Sequence, residues 1–114
     1  MAGPIRIRKI PGKWTVRSGG AILGETQNAL ELSEGELEPV IYFPRSDIAM
    51  AFLDLTDKVT HCEAKGDAKW YSIVNRSSVT QNAAWSYEEP HDDVSEIAGH
   101  LAFVVGDTVK VEQL

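Results

Sequence analysis

Four short stretches of the chain concentrate the side chains that can do chemistry. They are Tyr42-Phe43-Pro44-Arg45-Ser46-Asp47, Thr60-His61-Cys62-Glu63-Ala64-Lys65-Gly66, Ala84-Trp85-Ser86-Tyr87-Glu88-Glu89-Pro90 and Ile97-Ala98-Gly99-His100-Leu101-Ala102-Phe103. In the second stretch, Cys62 lies three residues before Lys65. A thiolate is the nucleophilic form of cysteine, and a neighbouring cation lowers the thiol pKa, so Cys62 is a candidate nucleophile. His61 is a candidate acid–base group if it faces the same pocket. The alternative role for Cys62 is that of a small buried apolar side chain at a strand end.

An anion site is a second chemistry. Arg45 offers a planar fork for a carboxylate or phosphate, Lys65 adds a point charge, and Gly66 lets backbone N–H groups approach a ligand closely. Against this, Arg45 can equally tie down a loop by pairing with Asp47 or another acid. Trp85 and Tyr87 stand at i and i+2, hence on one face of a strand, and Trp70 is expected across from them on a neighbouring strand. Such a wall stacks a planar ring, or else fills the core. His100 follows Gly99 and is expected either at the ligand site or hydrogen-bonded within the fold. Metal binding is not expected. His61 and Cys62 are adjacent, so a continuous strand points them to opposite faces, and His91 and His100 lie in separate segments without the short pairings of zinc knuckles. Phosphate-loop, dinucleotide, hydrolase-elbow and zincin motifs are all missing, and Asp54 with Asp57 is too sparse for a metal pair, so no cofactor is expected.

These residues must be positioned by strands. Ile5 and Ile7 alternate with Arg6 and Arg8, Pro11-Gly12 is a turn pair, and Trp14 and Val16 alternate with Thr15 and Arg17. Ser18-Gly19-Gly20 closes a hairpin whose return strand spans residues 21–25, with Gly24 either weakening it or marking a bulge. Further strands are expected at residues 29–32 and 40–43, flanking an acidic loop at 33–39. Pro44 ends the second of these. Ser46 or Asp47 then caps a two-turn helix through residue 53, because Ile48, Ala51, Phe52 and Leu55 recur at helical spacing. Extended segments at residues 58–62 and 68–74 enclose a loop containing Gly66. A turn at 75–78 leads to a strand at 79–86, a short helix from Asp92 stopped by Gly99, and strands at 101–105 and 109–112. The expectation is one mainly β domain over residues 1–114, with eight to ten short strands and two short helices. Strands this short and this regularly spaced favour a closed or folded-over sheet.

The four stretches, in this order and spacing, resemble the family catalogued as domain of unknown function 427, found in bacteria and fungi. Its pattern is a YFP-R-x-D block, a T-H-C-x-x-K-G block, an A-W-x-Y-x-x-P block and an I-A-G-H-x-A-F block. The resemblance covers residues 13–112. It implies a small β-tent fold, related in shape to zinc-binding exchange-factor-like proteins and B-type methionine sulfoxide reductases. The family is sometimes labelled nucleotidyltransferase-like, which by itself establishes no activity. The paired CxxC knuckles of many β-tent proteins are absent here, so their metal site does not carry over.

Composition bounds the answer further. The chain has 114 residues, a formal charge of -6, 43% apolar and 25% charged residues, and one cysteine. That is the make-up of a single ordinary globule. One cysteine permits neither an intramolecular disulfide nor a four-thiolate zinc site, which points to a reducing compartment. The longest apolar run, residues 48–53, is far below the roughly twenty residues a membrane helix needs, and the N-terminus lacks a secretory signal core. A cytoplasmic protein with no membrane partner is expected. Charge is unevenly distributed, because Arg6, Arg8, Lys9, Lys13 and Arg17 face only Glu25 within residues 1–30, while the remainder carries a net -10. A net acidic protein repels phosphate backbones, so nucleic acid is not an expected partner. Oligomeric state is left open. Two readings remain. One is a binding module holding a small anionic or planar ligand near Arg45, His61, Cys62 and Lys65. The other is an enzyme using Cys62 or His61.

Overall fold

The computed structural model describes residues 4–76 and 78–114. Ten strands are formed: β1 (Ile5–Lys9), β2 (Trp14–Ser18), β3 (Ala21–Thr26), β4 (Leu30–Glu34), β5 (Val40–Tyr42), β6 (Leu53–Cys62), β7 (Gly66–Val74), β8 (Val79–Ser86), β9 (Ala102–Phe103) and β10 (Val109–Gln113). They make three antiparallel sheets, ordered β1-β4-β5, β10-β2-β3 and β6-β7-β8-β9. The mainly β class expected of the sequence is therefore observed. The helical segments are short and of 3-10 type, and the first is broken in two. In place of a helix over residues 46–53 there are two separate 3-10 turns, Arg45–Asp47 and Met50–Phe52, with Ile48 extended between them. The second expected helix is a kinked 3-10 segment, Asp92–Ile97. The turn expected at residues 75–78 includes Ser77, which lies outside the described residues.

Strand bounds shift for physical reasons. β6 begins at Leu53, earlier than expected, because Leu53, Asp54 and Leu55 pair with Ile73, Ser72 and Tyr71 before the register breaks. Three residues, Thr56, Asp57 and Lys58, then bulge out opposite Trp70. The Thr56 hydroxyl donates to Asn82 Oδ1 at 2.7 Å and lies 3.3 Å from the Trp70 carbonyl oxygen. Asn82 itself occupies the left-handed region at φ 49 within a second irregularity, where β7 meets β8. One short hydrogen bond thus ties the two irregular strands together across β7. Asparagine tolerates that backbone better than a branched residue does.

The four-stranded sheet is covered differently on its two faces, which follows from period-two alternation. Tyr71, Ala84 and Phe103 point to one face and join Val16, Leu23, Ile48 and Leu101 in a core against β10-β2-β3. Ala68, Trp85, Tyr87 and Ala102 point to the other and join Leu32, Tyr42 and Ile97 against β1-β4-β5. Phe43 exchanges two backbone hydrogen bonds of 2.8 Å with Leu101, so the three-stranded sheet of β5 is stitched to the four-stranded sheet near β9. The Cys62 end of β6 and the start of β7 project beyond the first core, leaving their outer face open to solvent.

Candidate functional site

Alternation sorts the expected site residues into two groups. His61 pairs with Asp67, Cys62 with Gly66, Lys69 with Ser86 and Trp70 with Trp85. His61, Asp67, Lys69 and Ser86 therefore share the outer face, and Cys62, Trp70, Trp85 and Tyr87 share the inner one. Because β6 continues through residues 61 and 62, the imidazole and the thiol point apart, as strand geometry requires. The single pocket near Arg45, His61, Cys62 and Lys65 expected of the sequence is thus resolved into two places on opposite sides of one sheet.

The inner place is a cavity of about 250 Å³ between β4-β5 and β7-β8, lined by Leu32, Glu34, Leu37, Val40, Tyr42, Lys65, Trp70, Trp85 and Tyr87. Four of its nine lining residues are aromatic. Trp70 and Trp85 have ring centres 5.3 Å apart and planes inclined by 37°, and Tyr42 stands edge-on to Trp85 at 6.5 Å and 89°. The Trp85 indole donates to the Tyr42 hydroxyl at 3.2 Å, and the Trp70 indole to Thr60 at 2.9 Å. These bonds lock the ring orientations. The Lys58 ammonium lies over the Trp70 ring, 4.2 Å from its centre. One charged pair sits among the rings: Lys65 Nζ donates to Glu34 Oε1 at 2.8 Å, with side chains only 12% and 11% exposed.

Position explains this pair. The Lys65 N–H bonds the Cys62 carbonyl and the Lys65 carbonyl accepts from His91 N–H at 2.9 Å, so the β6–β7 turn is held from both sides. Gly66, at φ 113, then starts β7 in a conformation that a side chain disfavours. Burial lowers the Lys65 pKa, but the hydrogen bond to Glu34, with nearby negative charge, outweighs it and raises the value overall. Burial pushes the Tyr42 hydroxyl up to about 12, partly offset by the hydrogen bond from Trp85. Tyr87 is raised too, mainly by burial, with the Lys65 charge opposing. All three groups therefore keep their protons at neutral pH.

The outer place is a cleft of about 380 Å³ bordered by Val59, His61, Gly66, Asp67, Lys69, Glu88, Glu89 and His91. His61 Nδ1 meets Asp67 at 2.7 Å, and Nε2 lies 3.3 Å from Glu63. The hydrogen bond to Asp67 is the main cause of a raised His61 pKa, opposed by slight desolvation. No group of three or more metal-ligating side chains is found among the described residues.

Arg45 reaches this side of the sheet but is engaged. Its guanidinium donates to Glu88 at 3.1 Å and to the Tyr71 hydroxyl at 3.4 Å, and lies 5.7 Å from the Tyr71 ring centre. Lys69 holds the other Glu88 oxygen at 3.3 Å. Burial raises the Glu88 carboxyl, but bonds from Tyr71 and Lys69 and the two positive charges prevail and hold it below the usual range. The sequence suggested Asp47 as a partner for Arg45; Asp47 instead accepts from Thr26 at 2.7 Å. His100 borders neither place, and its Nδ1 lies 3.1 Å from the Ala98 carbonyl. Cys62 is half-buried against the inner core.

The sequence does not mark Glu34 as a site residue, and it places Tyr42 in the first of the four stretches without a role of its own. Both come from the opposing sheet, some twenty or more positions upstream, and no local spacing connects them to Lys65 or Trp85. Glu34 falls in the stretch expected to be an acidic loop; it is instead the last residue of β4.

A family model described as Domain of unknown function (DUF427), with the short label NTP_transf_9, matches residues 6–113. No curated protein matches the chain.

Proposed function

The chain belongs to the DUF427 family, and from the geometry of its inner cavity we propose that it is a binding module for a small planar ligand. The observation carrying this is the aromatic corner of Tyr42, Trp70 and Trp85, closed off by the buried Lys65–Glu34 pair. A ring entering there stacks on one indole while meeting Tyr42 edge-on, the two favoured aromatic geometries. Pockets for drug-sized ligands run from about 300 Å³ upward, so about 250 Å³ suits a single ring with small substituents.

Two features favour binding over chemistry at this place. Proton-transfer groups work best when their pKa lies near the operating pH, whereas Tyr42, Tyr87 and Lys65 are all shifted upward into fixed donors. His61 and Cys62 face opposite sides of the sheet, so no imidazole–thiol couple supports an acid–base nucleophile. Arg45, engaged by Glu88, lends no support to a free anion site.

The test is a thermal-shift and tryptophan-fluorescence screen with one-ring planar compounds. A ligand at a hundredfold its Kd stabilises the fold by about 2.7 kcal/mol, which such a screen resolves. Stabilisation of the wild type by at least one compound, lost in Trp85→Ala, is the expected result. If no planar compound stabilises the protein or perturbs its fluorescence, the proposal fails.

A further inference from the structure

We infer that the ligand of the inner cavity is an electrically neutral ring bearing carbonyl acceptors, a cyclic amide in chemical class, rather than an aromatic carboxylate or amine. This rests on the binding reading above and adds to it the polar complement of the site. Tyr42 and Tyr87 are 1% and 6% exposed. The Tyr42 hydroxyl accepts from Trp85 and, among the described residues, donates to no acceptor. The Tyr87 hydroxyl has no hydrogen-bond partner among the described residues, although its ring lines the cavity and lies 5.9 Å from the Lys65 ammonium. Among the described residues Ser18 Oγ alone is a fully buried side-chain polar atom without a partner, so the Tyr87 hydroxyl keeps contact with solvent and is free to bond a ligand.

The donors and acceptors of the cavity are unequal. Lys65 carries three N–H donors, of which Glu34 takes one. Its two remaining N–H groups and the Tyr87 hydroxyl are open donors, while the one charged acceptor left open is the second oxygen of Glu34, the phenol oxygens being weaker acceptors. A ring carbonyl answers the donors, and one ring N–H answers the remaining oxygen. Charge points the same way. Among the described residues lining the cavity, Lys65 and Glu34 are the formally charged ones, and they cancel. A carboxylate entering beside the buried Glu34, or an ammonium beside Lys65, meets a like charge where screening is weak. A neutral ring meets neither.

The experiment measures wild-type affinity by titration calorimetry for four one-ring probes: 2-pyridone, benzoate, benzylammonium and toluene. The expected order places 2-pyridone at least about tenfold tighter than either charged probe. Tyr87→Phe, which keeps the ring and removes the hydroxyl, is expected to weaken 2-pyridone about five- to tenfold and leave toluene unchanged. The free variant's melting temperature checks its folding, and the wild-type ranking needs no variant at all. Benzoate or benzylammonium binding as tightly as 2-pyridone overturns the inference while leaving a planar-ligand site standing. Toluene alone binding does the same. An unchanged 2-pyridone affinity in folded Tyr87→Phe removes the donor argument. If none of the four binds, the inference falls; the broader screen then decides the binding reading separately.

Discussion

Lys65 carries two charges' worth of consequence, because its ammonium is buried together with the Glu34 carboxylate. Desolvating both is expensive, and the pair is tolerable only while both members remain. Lys65→Met strands a buried carboxylate and is expected to lower unfolding free energy by about 3–5 kcal/mol, read from urea denaturation. Glu34→Leu combined with Lys65→Met is expected to recover most of that loss, and a double variant no better than the single would refute the pair's role. His61 is the contrasting case, exposed and flanked by Asp67 and Glu63. Its pKa is raised above 6.5, chiefly by the Asp67 hydrogen bond. A raised folded value means that its small favourable contribution is complete below about pH 6.5 and fades as pH climbs through the folded pKa. NMR titration of the imidazole is expected to give a midpoint above the ordinary histidine value, and Asp67→Asn to bring it down; a midpoint indifferent to Asp67→Asn refutes the assignment. At this scale the sequence was informative where parity governs. Trp85 and Tyr87 share a face, Trp70 lies opposite, and His61 and Cys62 diverge, all from period two. Glu34 carries no such local signal, and the stretch holding Tyr42 does not say which wall it meets, because the other sheet supplies both.

Strands are legible from alternation and turn residues, yet residues 46–53 read as one two-turn helix and form only separate 3-10 turns. The apolar spacing of Ile48, Ala51, Phe52 and Leu55 matches a helical stripe, but tertiary partners claim the residues one at a time. Ile48 is extended and bridges Gly24, the Asp47 side chain accepts from Thr26 instead of capping, and the Ala49 N–H donates to Leu23 at 2.7 Å. Leu53 and Leu55 belong to β6. A segment this short has no intrinsic helical stability to oppose such claims. The element that decides the outcome is β3, where the bare backbone of Gly24 lets this segment lie against it. A Cβ at that position would sit 2.5 Å from both the Asp47 carbonyl oxygen and Ile48 Cδ1. The carbonyl belongs to a fixed backbone, so the strand and the segment must part. Gly24→Ala is therefore expected to destabilise by about 1–3 kcal/mol, measured by thermal or denaturant unfolding. A neutral substitution would show that the contact is loose.

At the scale of the molecule, a net charge of -6 hides a first segment rich in cations, and the fold decides whether these make a surface. Antiparallel pairing answers the question strand by strand. Arg8 on β1 bonds Glu31 on β4 at 2.9 Å, Arg17 on β2 bonds Glu112 on β10 at 3.0 Å, and Lys13 lies 4.0 Å from Glu25 on β3. Two of those acids belong to the acidic remainder of the chain, so the sequence's separation into a basic start and an acidic rest is undone in space. The pairs are solvent-exposed and each is worth little to stability. Their effect is on the field, since a phosphate chain needs several uncompensated cations along one track before counterion release gives appreciable affinity. Arg6 and Lys9 have no paired acid among the described residues, and two charges fall short of the six to ten contacts typical of DNA binders. The expected result of titrating a mixed-sequence oligonucleotide against the protein at low salt is no retardation in a mobility-shift gel. Retardation that weakens steeply as salt is raised would overturn this account, because only a continuous basic face produces that dependence.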